Sequence, residues 1–181
     1  MEIKEVDIKQ ETLYKRIPPI WHIGVGIDSL EAVINLARIH NAKKIFEFGT
    51  WTGLTAAELS THTQAIVYTI DHKIYYLQPF GLDGLKEENL VRIIADSTKF
   101  NFTPYKEYFD MVFVDGGHEY NIVKSDTENG FMILKKGGII AWHDYVPEAN
   151  LGYDVAKYID EEIKPNHQLY RVKDAVIFAK K

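Results

Sequence analysis

A chain of 181 residues with 46% apolar and 26% charged side chains has the size and make-up of one globular domain with a single sizeable core. It has no cysteine, which removes disulfides, thiolate metal sites and cysteine nucleophiles. Its net charge of -5 gives no electrostatic case for gripping nucleic acid.

Residues 1–27 read as an N-terminal arm or cap on one domain spanning 28–181. The opening is charged throughout and no apolar run reaches membrane-span length, so a cytoplasmic protein without a membrane partner is expected. Pro18 and Pro19 hold 17–22 extended, leaving Trp21 and His22 either on the domain surface or at a pocket mouth. Asp28 and Ser29 read as a helix N-cap. Leu30, Val33, Leu36 and Ala37 recur at helical spacing from there to about Asn41.

Ile45 to Phe48 is a short apolar run, a buried strand. It empties into the turn Gly49-Thr50-Trp51-Thr52-Gly53, and good helix formers follow from Leu54. Glu47 is the oddity within it. A carboxylate there is costly to bury unless paired, either by a ligand ammonium or hydroxyl or by neighbouring backbone amides.

Four more apolar runs, 65–71, 91–96, 109–115 and 138–144, each end in an aspartate: Asp71, Asp96, Asp115 and Asp144. Between the second and third strands, 72–81 is aromatic and reads equally as an acceptor-pocket wall or as packing on the sheet. Helical stretches at 119–134 and from Tyr153 to Ile163, and a terminal hairpin about Lys173-Asp174, complete the pattern. The expected fold is α/β: a Rossmann-like, doubly wound seven-stranded sheet, mostly parallel with a C-terminal antiparallel hairpin. Ligands in such sheets bind outside the carboxyl ends of the strands. One aspartate there could cap a helix, whereas four are better explained by a shared polar site.

Strand, glycine turn and helix aim free N–H groups at the negative end of a ligand. A P-loop is ruled out because no Gly-Lys-Ser/Thr follows. A dinucleotide pyrophosphate would meet the indole of Trp51 where a second glycine is needed. What fits is a nucleoside ligand with an amino acid in place of phosphates.

At these residues the chain resembles the class I S-adenosylmethionine-dependent methyltransferases. Glu47-Phe48-Gly49-Thr50-Trp51-Thr52-Gly53 looks like the E-x-G-x-x-x-G variant of their O-methyltransferase branches. Asp115-Gly116-Gly117-His118, with Gly137-Gly138 and His143-Asp144, resembles the subset that tailors small natural products. The resemblance runs from about residue 28 to the terminal hairpin. It implies S-adenosylmethionine as cofactor, held by Glu47, Gly49, Thr50, Gly53, Asp71, Asp96 and Asp115, with Asp71 on the ribose hydroxyls and Asp96 on the adenine amino group.

The resemblance also implies a small hydroxylated acceptor, His118 as base beside Asp115, and a divalent metal ion, Mg or Mn, ligated by Asp115, His143 and Asp144. His143 stands where relatives tend to carry an acid, and an imidazole suits Mn, Fe or Zn better than Mg. The plainer alternative has His143 and Asp144 capping the next segment while Asp115 and His118 bond each other. Tyr145 and Tyr153 are candidate substrate walls, and Trp142 reads as core. Dimers are common among relatives, and the assembly state stays open. Two other functions stand beside this one: a nicotinamide-dependent (NAD) oxidoreductase on a similar sheet, and a module that keeps the cofactor pocket without turnover.

Overall fold

The computed structural model describes residues 1–6, 25–73, 89–148, 153–173 and 176–181. Trp21, His22, Pro79 and Gly81 lie outside the described residues. The pocket-mouth reading and most of the 72–81 stretch fall there too.

The strands are β1 (Lys4–Glu5), β2 (Lys44–Phe48), β3 (Ile66–Asp71), β4 (Leu90–Ile94), β5 (Phe109–Val114), β6 (Leu134–Trp142), β7 (Tyr170–Lys173) and β8 (Val176–Lys180). The helices are α1 (Ile27–Ile39), α2 (Leu54–His62), α3 (Tyr120–Ile133) and α4 (Val155–Tyr158), the last running on as a π-helical turn, Ile159–Ile163. The strands form one sheet in the order β1-β7-β8-β6-β5-β2-β3-β4. β2 to β6 run parallel, and β8 is antiparallel to both β6 and β7. To the seven expected strands the structure adds the two-residue β1, parallel to β7. So short a strand carries no periodicity to read.

The chain winds from β2 through β3 to β4 on one side and returns to β5 and β6 on the other. The winding of the sheet therefore reverses between β2 and β5, the kind of switch point outside whose carboxyl ends such sheets bind ligands. Helix α1 starts one residue before the expected cap. Gly26 is its N-cap without a side-chain hydrogen bond, and Asp28 and Ser29 lie inside the first turn, where Ser29 is buried.

Each face of the sheet has its own core. Ile45, Val67, Met111, Phe113, Ile139 and Ala141 pack with α1 and α2. Phe46, Phe48, Ile70, Val112, Ile140 and Trp142 pack with α3, α4 and Phe102. Trp142 is fully buried and its indole N–H donates to Thr127 Oγ1 at 2.9 Å, so the expectation of a core residue holds. Among the described residues no helix is long and apolar enough to cross a membrane.

Candidate active site

Successive strand residues face opposite sides of a sheet. Because Ile45, Val67, Phe113 and Ala141 face α1 and α2, so do Glu47, Thr69, Asp71, Asp115 and His143, two residues or one more pair further along. Pairing register sets Glu47 beside Thr69. Five polar side chains from four strands thus meet at one edge.

Glu47 is fully buried. Its Oε2 accepts the Thr69 hydroxyl at 2.5 Å, and Thr69 Oγ1 lies 2.7 Å from Thr50 Oγ1, tying the strand to the turn. Among the described residues Glu47 Oε1 has no hydrogen-bond partner. Burial pushes this carboxyl well above its usual pKa range, with Asp115 and Asp71 adding to the rise. The backbone-amide alternative for Glu47 is not what the structure shows.

The turn is built for close approach. Gly49 has φ +92°, and a β-carbon there would stand 2.1 Å from the Asp115 carbonyl oxygen. Gly53 caps α2 in the left-handed conformation, φ 78°. Between them Trp51 is also left-handed, φ 43°, an uncommon conformation for a bulky residue. Asp71 holds the turn in this shape, its Oδ2 accepting the N–H groups of Thr50 (3.1 Å) and Trp51 (2.8 Å) while Oδ1 lies 2.9 Å from Nδ1 of the exposed His72.

A second group gathers beyond β5 and β6. His118 Nε2 lies 2.8 Å from Asp144 Oδ2. A carboxylate accepts, so Nε2 carries the proton and Nδ1 is left as the basic nitrogen. Tyr153 stacks on the imidazole at 4.0 Å and 11°. Asp154 locks the segment, its N–H donating to the His118 carbonyl and its Oδ2 accepting the Tyr120 N–H. His118 therefore bonds Asp144, and the expected alternative pairing of Asp115 with His118 is not formed.

His143 Nδ1 sits 3.2 Å from Asp115 Oδ1 and 3.1 Å from Asp144 Oδ2, in ion-pair reach of both carboxylates yet aligned for a hydrogen bond with neither. Burial opposes charge on His143, but the two carboxylates outweigh it and raise its pKa to about 10. The bond to Asp144 raises that of His118. Burial lifts Asp115 above the usual carboxylate range. Burial acts the same way on Asp144, but His118 and His143 hold its carboxyl below that range. Asp144 is itself left-handed, φ 57°. One ligand atom each from Asp115, His118 and Asp144 lie within 4.8 Å of one another, a spacing that could hold a cation. The histidine in that set is His118, where the sequence pointed to His143.

Other expected residues fall differently. Asp96 is spent locally: Oδ1 accepts the N–H and hydroxyl of Thr98, and Oδ2 lies 2.7 Å from Lys99 Nζ, which with Thr98 brings its pKa down to about 2. Tyr145 is not a substrate wall. It is 2% exposed, its hydroxyl donates to Asp160 at 3.0 Å, and it belongs to the α4 core. Tyr153 does reach the site.

Sequence reasoning missed Thr69 and Asp126. Thr69 was findable, because two residues before a strand-terminal aspartate means the same face. Asp126 lies on the stripe of Val123, Thr127, Gly130 and Ile133, the buried face of α3, where an acid is out of place.

Comparison with known proteins agrees with this geometry. A family model described as a methyltransferase domain matches residues 46–145, more than half of the chain. A candidate caffeoyl-CoA O-methyltransferase from Staphylococcus aureus is similar in structure, with a TM-score of 0.69 and 18% identity over 88% of this chain and 87% of that one. The O-methyltransferase TomG from Streptomyces achromogenes, involved in tomaymycin synthesis and solved with S-adenosylmethionine, gives 0.68 and 16%, covering 87% and 81%. An O-methyltransferase from Bacillus cereus in complex with S-adenosylhomocysteine gives 0.63 and 14%, covering 87% and 82%. No curated protein matches the chain.

Proposed function

The chain belongs to the methyltransferase-domain family, and from that premise we propose that it moves a methyl group from S-adenosylmethionine to a hydroxyl oxygen of a small molecule. The observation carrying this reading is the buried, half-unpartnered carboxylate of Glu47 beside a glycine turn at the point where the winding of the sheet reverses. An orphaned buried acceptor is costly, and a ligand ammonium relieves that cost. The family and the acidic edge weigh against the oxidoreductase alternative.

When bound, S-adenosylmethionine supplies an electrophilic methyl carbon on a sulfonium centre. The protein's own part is placement and charge. Glu47, its other oxygen fixed by Thr69, receives the ammonium. Gly49, Thr50 and Gly53 shape the turn that faces the amino-acid end. Asp71 Oδ1, which His72 also approaches, has a further lone pair to accept a ribose hydroxyl. Together with Asp115 and Asp144 these acids favour a ligand carrying positive charge. His118 takes the acceptor's proton at Nδ1, and the imidazolium formed is offset by Asp144. Tyr153, 43% exposed beside His118, is an aromatic surface for the acceptor.

A second reading rests on the spacing of Asp115, His118 and Asp144. Two carboxylates and an imidazole would hold Mn, Fe or Zn more readily than Mg, and such an ion would acidify an acceptor hydroxyl bound to it. His118 would then be a ligand rather than a base.

Calorimetry with S-adenosylhomocysteine tests the first reading, which fails if no binding is seen at millimolar ligand. Asp71→Ala should weaken that binding about 10- to 100-fold, the worth of charge-assisted hydrogen bonds. Treatment with EDTA separates the two readings. Turnover of a hydroxylated acceptor that survives chelation supports His118 as base, and turnover lost with EDTA but restored by Mn supports the cation.

A further inference from the structure

Asp126 has no part in the chemistry above, and its burial calls for a physical reason. It is 1% exposed on the inner face of α3. Among the described residues Oδ1 meets no hydrogen-bond partner. The Ser97 hydroxyl and the like-charged Asp96 both lie close enough to act on the carboxyl. Oδ2 lies over Gly116 so closely that a β-carbon there would stand 3.0 Å from it. A buried carboxyl beside a like-charged neighbour is best off neutral. Burial raises its pKa to about 7.

The position of this group matters more than its titration. Ser97 belongs to the turn after β4, and Gly116 to the loop after β5. These strands flank β2 and β3 on opposite sides, so Asp126 bridges from behind the two ends of the edge at which Glu47 and Asp71 stand. We infer that Asp126 is a positioning residue for the nucleoside part of the cofactor. Lying beside Ser97 and seated against Gly116, it sets the width of the gap between the turn after β4 and the loop after β5. A flat purine enters that gap. Gly116 is glycine because the carboxyl fills the place of its side chain. The inference rests on the cofactor reading proposed above and adds which residue tunes affinity for the base.

The test measures Kd for S-adenosylhomocysteine and for adenosine by calorimetry near pH 6 and near pH 8, using the full chain. Thermal melting verifies that each variant is folded. Asp126→Ala should weaken both ligands about tenfold or more, while kcat at saturating cofactor changes less than about threefold. Asp126→Asn keeps a hydrogen-bonding group of the same shape without the ionisable proton, and should bind as the wild type does near pH 6. The wild type should weaken severalfold between the two pH values as Asp126 ionises against Asp96, and Asp126→Asn should not. Asp71, Asp96, Asp115, His118 and His143 also line the site, so the comparison is between two proteins that differ at residue 126 alone. If Asp126→Ala fails to fold, Ser97→Ala should give the same loss of affinity.

Unchanged Kd in Asp126→Ala or Ser97→Ala overturns the inference, as does an Asp126→Asn variant with the wild-type pH slope. Failure of the wild type to bind S-adenosylhomocysteine overturns the cofactor reading instead, and this inference with it.

Discussion

His118→Ala should lower kcat about 10²- to 10⁴-fold while leaving the affinity for S-adenosylhomocysteine within about threefold. The geometry behind this is an imidazole held from three sides. Nε2 is fixed on Asp144 at 2.8 Å, the ring is stacked on Tyr153, and the backbone carbonyl is tied to the Asp154 N–H. Losing the imidazole removes the proposed proton acceptor but none of the groups proposed to hold the cofactor. Steady-state kinetics with a hydroxylated acceptor, paired with calorimetry, separates the two effects. A variant with wild-type kcat would remove His118 from the chemistry. Loss of cofactor binding in step with kcat would mean that the residue shapes the pocket instead.

Gly49→Ala should destabilise the fold by about 3 kcal/mol or more, and in a marginally stable domain that reads as failure to fold at moderate temperature. Two independent costs add. The added methyl would lie 2.1 Å from the Asp115 carbonyl oxygen, 2.6 Å from its carbon and 2.7 Å from Gly116 Cα, all backbone atoms that cannot swing aside. The residue also holds φ +92°, which L side chains rarely adopt. The backbone pins the turn in place, with Gly49 N–H donating to the Ile70 carbonyl and Asp115 N–H to that of Phe48, so β2 cannot move away from β5 to make room. Urea unfolding followed by circular dichroism would measure the loss, and an unchanged midpoint would refute the close approach.

The sheet was legible because its central strands are buried on both faces and therefore read as continuous apolar runs. Glu47 stood out for the same reason, as a charge where the neighbours left no room for one. The strand-terminal aspartates were legible as a group, but their individual duties were not. Asp96 serves its own turn, and His118 chose Asp144 over Asp115, because such choices depend on where loops cross after the strands end. A left-handed residue such as Asp144 turns a side chain away from the direction its strand would give it, and no spacing rule anticipates that. Asp126 was hidden by habit: on a helix an acid reads as solvated unless its exact place on the apolar stripe is followed. Tyr145 erred in the opposite sense, its polar tip finding Asp160 inside the domain rather than a ligand outside it.

The placement of β8 bears on how the domain assembles. Residues 176–180 run between β6 and β7, and β1 touches the sheet only by way of β7. Lys4 and Glu5 therefore have no edge to join until the last strand has threaded into its slot. The five parallel strands carrying the acidic edge need not wait for that event. A half-built chain should hold its chemistry-bearing portion early and stitch its two extremities together last, leaving the flank of β6 exposed to pairing with a neighbouring chain in the interval.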